Sequence, residues 1–307
     1  MPKLLDPTLD LVFKLLFTSG PDSDIALRGL LAAVLTPPRP IAAVTLVNPA
    51  ITGAEIANKS IVLDLLLELD DGTLVDVEMQ ARDRGAFRNR ALFYWAKLYS
   101  GQLDRGEDYA ELKPAISVLF LDYRELPDED FHSVFHVLEK RRHARLSDAF
   151  EMHLIELPKL DRALLAADRS DEVPLLQWSK FLAAKTDEDR KVAAMSNPAI
   201  QKANAVLERL SADPDTQQLA RQRELAQQTY RIEMSAALNK GRDEGLRIAV
   251  LDLCEVLGVT PTEEQRAQLE REDQQEARAP PGRDVDVARR AHRDDDLAGG
   301  EDAGVEP

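Results

Sequence analysis

Two short apolar runs joined by a three-residue turn constrain this chain more than any other stretch: residues 60–68, then Asp70-Asp71-Gly72, then residues 73–80. A three-residue hairpin loop takes a type I turn followed by a left-handed residue, usually glycine, and Gly72 stands in that place. The loop pairs Leu69 with Thr73. Stepping outward from that pair sets Asp64 opposite Glu78, and Val62 opposite Gln80. Opposed residues of an antiparallel pair project from one face with Cβ atoms about 5 Å apart, so the two acids meet. A slip of one residue would send them to opposite faces. Along the second run Thr73, Val75, Val77 and Met79 point one way, and Leu74, Asp76, Glu78 and Gln80 the other. Glu68 and Asp76 read as solvated acids outside the pair.

Two carboxylates this close repel each other unless a cation sits between them. All-oxygen donors suit the hard ions Mg2+ or Mn2+. Mg2+ takes one or two protein carboxylates and fills its other positions with water and phosphate oxygens. Such an ion acidifies a water for attack on a phosphodiester and offsets charge on the phosphate. Gln80 cannot serve as a base at neutral pH, but its amide can orient a water or a phosphate oxygen. Arg82, Arg84, Arg88 and Arg90 follow within a few residues and would position a phosphate backbone.

The formal net charge of −16 argues against a nucleic-acid partner only on the surface. Residues 270–307 carry twelve acids against six arginines, whereas residues 81–105 and the run 140–145 are locally basic. Local field governs attraction to phosphate more than total charge does. The single cysteine, Cys254, excludes an internal disulfide and a cysteine-built zinc site. It reads as a packing residue on a helix. No apolar run is long enough to span a bilayer, and the first residues meet Asp6 too early for a secretory signal. A cytoplasmic protein without membrane association is the expectation. No glycine-rich phosphate loop supports ATP hydrolysis. His132 and His136 lack a third ligand close in sequence and read as structural or surface histidines. Tyr94, Trp95 and Tyr99 recur at helical spacing and read as packing residues rather than a base-stacking platform.

Periodicity predicts helices over 7–18, capped by Asp6-Pro7, and over 22–35, ended by the proline-rich run 36–40. Strands are predicted over 41–48, 61–69, 73–80, 115–121, 131–138 and 149–157, with a helix over 87–102 whose apolar stripe is Phe87, Ala91, Tyr94 and Leu98. From residue 160 to about 269 the pattern is helical, broken at Asn197-Pro198 and Asp213-Pro214. The tail has the composition of a disordered segment. The expected division is therefore an α/β domain over 1–160, a helical region over 161–269 and an acidic tail over 270–307.

Asp64, the hairpin and Glu78-Met79-Gln80 together resemble the PD-(D/E)XK nuclease signature in its E-x-Q variant, that of the recombination-promoting nuclease and transposase family. Four further stretches are similar to that family: residues 10–17 with the pattern D-x-x-F-K-x-x-F, the aromatic helix 90–99, the run 106–116 with G-x-x-Y-x-x-L-x-P-x-I, and the E-L-P-K strand end at 156–159. Residues 240–245 are similar to the family's C-terminal K-G-x-x-E-G. The resemblance implies a restriction-endonuclease-like core, a central mixed sheet flanked by helices, and Mg2+-dependent DNA cleavage linked to recombination or transposition. It implies Asp64 and Glu78 as metal ligands, Gln80 in the place of the usual lysine, and Asp10 as a further acid. The alternative is a nuclease fold that binds DNA or a protein without cutting. The helical C-terminal region is the surface through which a homo-oligomer would form.

Overall fold

The turn at Asp70-Asp71-Gly72 sets the register of the sheet as its chemistry requires. Gly72 adopts φ +85°, a conformation costly for any residue with a Cβ. Its N–H donates to Leu69 O at 2.9 Å, Leu69 N–H donates to Thr73 O at 2.9 Å, and Asp71 Oδ1 accepts from Thr73 N–H at 2.9 Å. The flanking strands, β2 (Leu65–Leu69) and β3 (Leu74–Gln80), pair antiparallel with Leu65 opposite Val77 and Leu67 opposite Val75.

The computed structural model describes residues 4–47, 65–82, 85–165, 173–256, 262, 263 and 265. The chain divides into two compact units, Met1–Ala226 and Gln227–Pro307. In the first, β1 (Val44–Leu46), β4 (Ala115–Leu121), β5 (His132–Phe135) and β6 (Phe150–Glu156) complete a six-stranded sheet in the order β1-β2-β3-β4-β6-β5. Strands β3, β4 and β6 run parallel, so Gln80, Leu121 and Glu156 align at the C-terminal ends of these strands; the remaining pairings are antiparallel.

Alternation along the strands gives the sheet two apolar faces, and each is covered. Val75, Val77 and Met79 of β3, with Val118 and Phe120 of β4, face α1 (Asp10–Thr18) and α2 (Pro21–Leu35). Phe13 meets Phe17 at 5.0 Å and Phe120 at 6.1 Å between ring centroids. The other face, with Leu119, Leu121, Phe150, Met152 and Leu154, is covered by Phe87 and Ala91 of α3 (Phe87–Ser100). Trp95 of α3 is anchored twice: its Nε1 donates to Ala115 O at 2.7 Å, and its ring meets Phe150 edge-on at 4.7 Å. Tyr94, Trp95 and Tyr99 of α3 are half-buried packing residues.

Helices α4 (Leu160–Leu165), α5 (Val173–Ala183), α6 (Asp187–Met195) and α7 (Pro198–Ala212) follow. Trp178 and Phe181 of α5 and Ile200, Ala203 and Leu207 of α7 join the same core as α1 and α2. At the α2–α7 contact a Cβ on Gly29 would overlap the Ala199 methyl, so glycine permits the approach. Both predicted breaks act as caps: Asn197 Oδ1 accepts from Ala199 N–H at 2.9 Å, and Asp213 Oδ2 accepts from Thr216 N–H at 2.9 Å. Helix α8 (Pro214–Val256) then runs into the second unit, where Tyr230, Ile232, Met234, Leu238, Leu246, Ile248 and Val250 are exposed.

Two expectations shift at the N-terminus. Helix α1 starts at Asp10 rather than residue 7, because Asp6 Oδ1 accepts from Thr8 N–H at 2.9 Å and closes a turn instead of capping a helix. The predicted strand 41–48 shrinks to three residues. Residues 61–64 and the tail 270–307 lie outside the described residues.

Candidate active site

The site is built on the even-numbered face of β3, where Asp76, Glu78 and Gln80 succeed one another. Parallel pairing sets Asp76 beside Ser117, Glu78 beside Leu119 and Gln80 beside Leu121. Helix α3 closes the recess from above, so Asp76, Glu78, Ser117, Leu119, Phe87, Arg90, Ala91 and Tyr94 line one small space. Glu78 is 6% exposed and Asp76 2%. A buried carboxylate is costly without strong partners, so neither acid is an incidental surface group. The reading of Asp76 as solvated is corrected: α3 covers the acidic face of β3 as well as the apolar part of its neighbours. The apolar stripe Phe87, Ala91, Tyr94 and Leu98 shows that this helix needs a sheet face to cover, but not which one. Glu68 is exposed.

Gln80 and Glu78 are joined directly. Gln80 Nε2 donates to Glu78 Oε2 at 2.7 Å, and Arg90 Nη2 donates to Gln80 Oε1 at 3.4 Å. The Arg90 guanidinium also lies 5.9 Å from the centroid of the Phe87 ring, within cation–π range.

Arg88 is mostly exposed and donates through Nε to Glu125 Oε1 at 2.7 Å, and through Nη2 to Glu125 O at 3.0 Å. Arg82 is half-buried two residues beyond Gln80. Asp64 and Arg84 lie outside the described residues. The β2–β3 register is described as far as Leu65 opposite Val77, one step short of the Asp64–Glu78 pair. Asp10 is held by Arg223, whose Nε donates to Asp10 Oδ2 at 2.9 Å and to Oδ1 at 3.1 Å.

Sequence reasoning missed the support beneath the site. At the C-terminal end of β6, Glu156 and Lys159 form a buried ion pair of 2.6 Å. Glu156 Oε1 accepts from Glu125 N–H at 2.6 Å and Leu126 N–H at 3.2 Å, and Lys159 Nζ donates to Leu126 O at 3.1 Å. This pair clamps the loop after β4, and Glu125 of that loop holds Arg88 of α3. The E-L-P-K residues therefore fix the helix that roofs the site. Nearby, Asp122 N–H donates to Gln80 O at 3.0 Å, and burial, opposed in part by Lys185, raises the Asp122 carboxyl above its ordinary value.

His132 and His153 meet on the opposite face, at β5 and β6. His132 Nε2 and His153 Nδ1 are 2.9 Å apart, and His153 Nε2 is 2.7 Å from Glu151 Oε1. The His153 contact is the chief reason that Glu151 sits below the ordinary glutamate range. Among the described residues no group of three or more His, Cys, Asp or Glu side chains is arranged to hold a metal ion.

A mixed six-stranded sheet flanked by helices, with a buried acid and an adjacent amide beside a hairpin, defines a restriction-endonuclease-like α/β fold. The family model of the PD-(D/E)XK nuclease family transposases matches residues 7–237, and the chain belongs to that family. No curated protein and no solved structure matches it. Among the described residues no helix is long and apolar enough to cross a membrane.

Proposed function

We propose that this protein is a divalent-metal-dependent DNA endonuclease acting in recombination or transposition, with its centre at the β2–β3 hairpin. The observation that carries the reading is the buried Glu78 carboxylate hydrogen-bonded to Gln80, in a chain of the PD-(D/E)XK nuclease family. Continued by one step, the register would bring residue 64 opposite Glu78. The donor chemistry fits a hard ion: Asp64 and Glu78 would hold Mg2+ or Mn2+ through oxygen alone. Such an ion, when bound, supplies charge neutralisation at the phosphate and a water acidic enough to attack it.

The side chains of the protein do the rest. Gln80 hydrogen-bonds beside Glu78 in the place of a lysine. Arg82, Arg84 and Arg88 follow Gln80 in the sequence and would serve as contacts for a phosphate backbone. Asp10, the further acid, is held by Arg223, and this ion pair ties α1 to the start of α8. Exposed apolar residues along α8 support self-association through that helix.

Nicking of supercoiled plasmid in Mg2+ or Mn2+ tests the reading, with Asp64→Ala and Glu78→Ala beside the wild type. Cleavage by the wild type alone is expected. Cleavage that survives both substitutions would remove the site assignment. A wild type that retains DNA in a salt-sensitive manner without cutting it would favour a binding module of the same fold.

A further inference from the structure

Arg90 points back into the recess that Asp76 and Glu78 line. It is half-buried, stacked against Phe87, and within hydrogen-bonding distance of the Gln80 amide oxygen. Arg88, two residues earlier, is 63% exposed and engaged with Glu125.

The Arg90 contact decides what Gln80 can do. A glutamine amide carries an acceptor oxygen and a donor nitrogen, and the two are exchanged by a flip. At this position chemistry fixes the choice from both ends. A guanidinium has only donors and a carboxylate only acceptors. With Arg90 on one side and Glu78 on the other, the oxygen must face Arg90 and the nitrogen must face Glu78, at the observed 3.4 Å and 2.7 Å. The flipped amide would oppose donor to donor and acceptor to acceptor at once.

We infer that Arg90 is a positioning residue that locks Gln80 as a hydrogen-bond donor toward the Glu78 site, rather than a phosphate anchor. The inference deepens the nuclease reading and rests on it. Lysine, the side chain Gln80 replaces by family resemblance, is also a donor without an acceptor. Arg90 thus makes an ambidextrous amide behave as lysine does, without the charge. Gln80 then presents its amide nitrogen as a donor to the Glu78 carboxylate or to a phosphate oxygen.

Two measurements on the full chain test this. The first needs no activity: the Gln80 side-chain amide is followed by NMR in metal-free protein labelled with 15N-glutamine, its signal assigned by its loss in Gln80→Lys. Arg90→Met should speed exchange of the Gln80 amide protons by about tenfold, the weight of one hydrogen bond to a charged group. Unchanged exchange would overturn the inference. The second is a double-mutant cycle of plasmid cleavage. Arg90→Met should lower kcat by about tenfold or more when glutamine is at 80, with KM and salt dependence little changed. In the Gln80→Lys background that loss should shrink to about twofold or less, since lysine needs no lock. An equal loss in both backgrounds, seen as a raised KM and a salt slope shallower by about one, would identify Arg90 as a phosphate contact and overturn the inference. If neither wild type nor Gln80→Lys cleaves DNA, the nuclease reading fails, and the amide exchange alone decides the part played by Arg90.

Discussion

Replacing Lys159 by methionine isolates the ion pair beneath the site. Glu156 and Lys159 are both 0% exposed in their side chains and 2.6 Å apart. Methionine keeps most of the volume but leaves the Glu156 carboxylate buried with two backbone donors, Glu125 N–H and Leu126 N–H, and no counter-charge within the pair. Breaking a buried pair from one side costs about 3–5 kcal/mol. For a protein of this size that lowers the melting temperature by about 6–20 °C. Adding Glu156→Gln should recover about 1–2 kcal/mol, because the amide oxygen still accepts from the backbone while the stranded charge is gone. Urea unfolding followed by circular dichroism reads both values. A loss below about 1 kcal/mol for Lys159→Met, or a double variant weaker than the single one, would refute the claim that the pair is a tightly coupled clamp.

Three further outcomes follow from particular contacts. Gly29→Ala should destabilise by about 1–3 kcal/mol, because the added methyl overlaps Ala199 where α2 meets α7; urea titration checks it, and a neutral result would mean that the helices separate freely. Glu151 is depressed in the folded protein, so it favours folding above the ordinary glutamate range and that contribution is lost as pH falls through its folded value. Glu151→Gln should therefore flatten the acid side of the stability–pH curve. Asp122 is raised, with the opposite sign: stability falls as pH climbs from the ordinary aspartate value through the folded one. Asp122→Asn should remove that fall and leave the variant more stable than wild type near neutral pH, read as a higher melting temperature.

Where local chemistry decides, the chain announces its structure. The hairpin register needed only loop length, Gly72 and a side-chain period of two, and β2 and β3 pair as that arithmetic requires. Strand β4 occupies the predicted residues 115–121. Contacts that span the sequence were not legible. Nothing near Asp10 in sequence points to Arg223, and nothing near Gly29 points to Ala199. The burial of Asp76 depends on which helix covers which face, a tertiary choice that alternation along one strand does not encode. The Arg90–Gln80–Glu78 chain was hidden for a related reason: an arginine ten residues from Gln80 faces solvent or site according to where α3 lies on the sheet. The family motifs within residues 10–159 carried the fold class, since they fall on strands and helices of the first unit.

Manganese binding followed by electron paramagnetic resonance, in wild type, Asp64→Ala and Glu78→Ala, most directly tests whether the hairpin acids form one metal centre. The account predicts one ion per chain at the site, weakened at least tenfold by either substitution while the fold is retained by circular dichroism. Binding that is unchanged in both variants would contradict it.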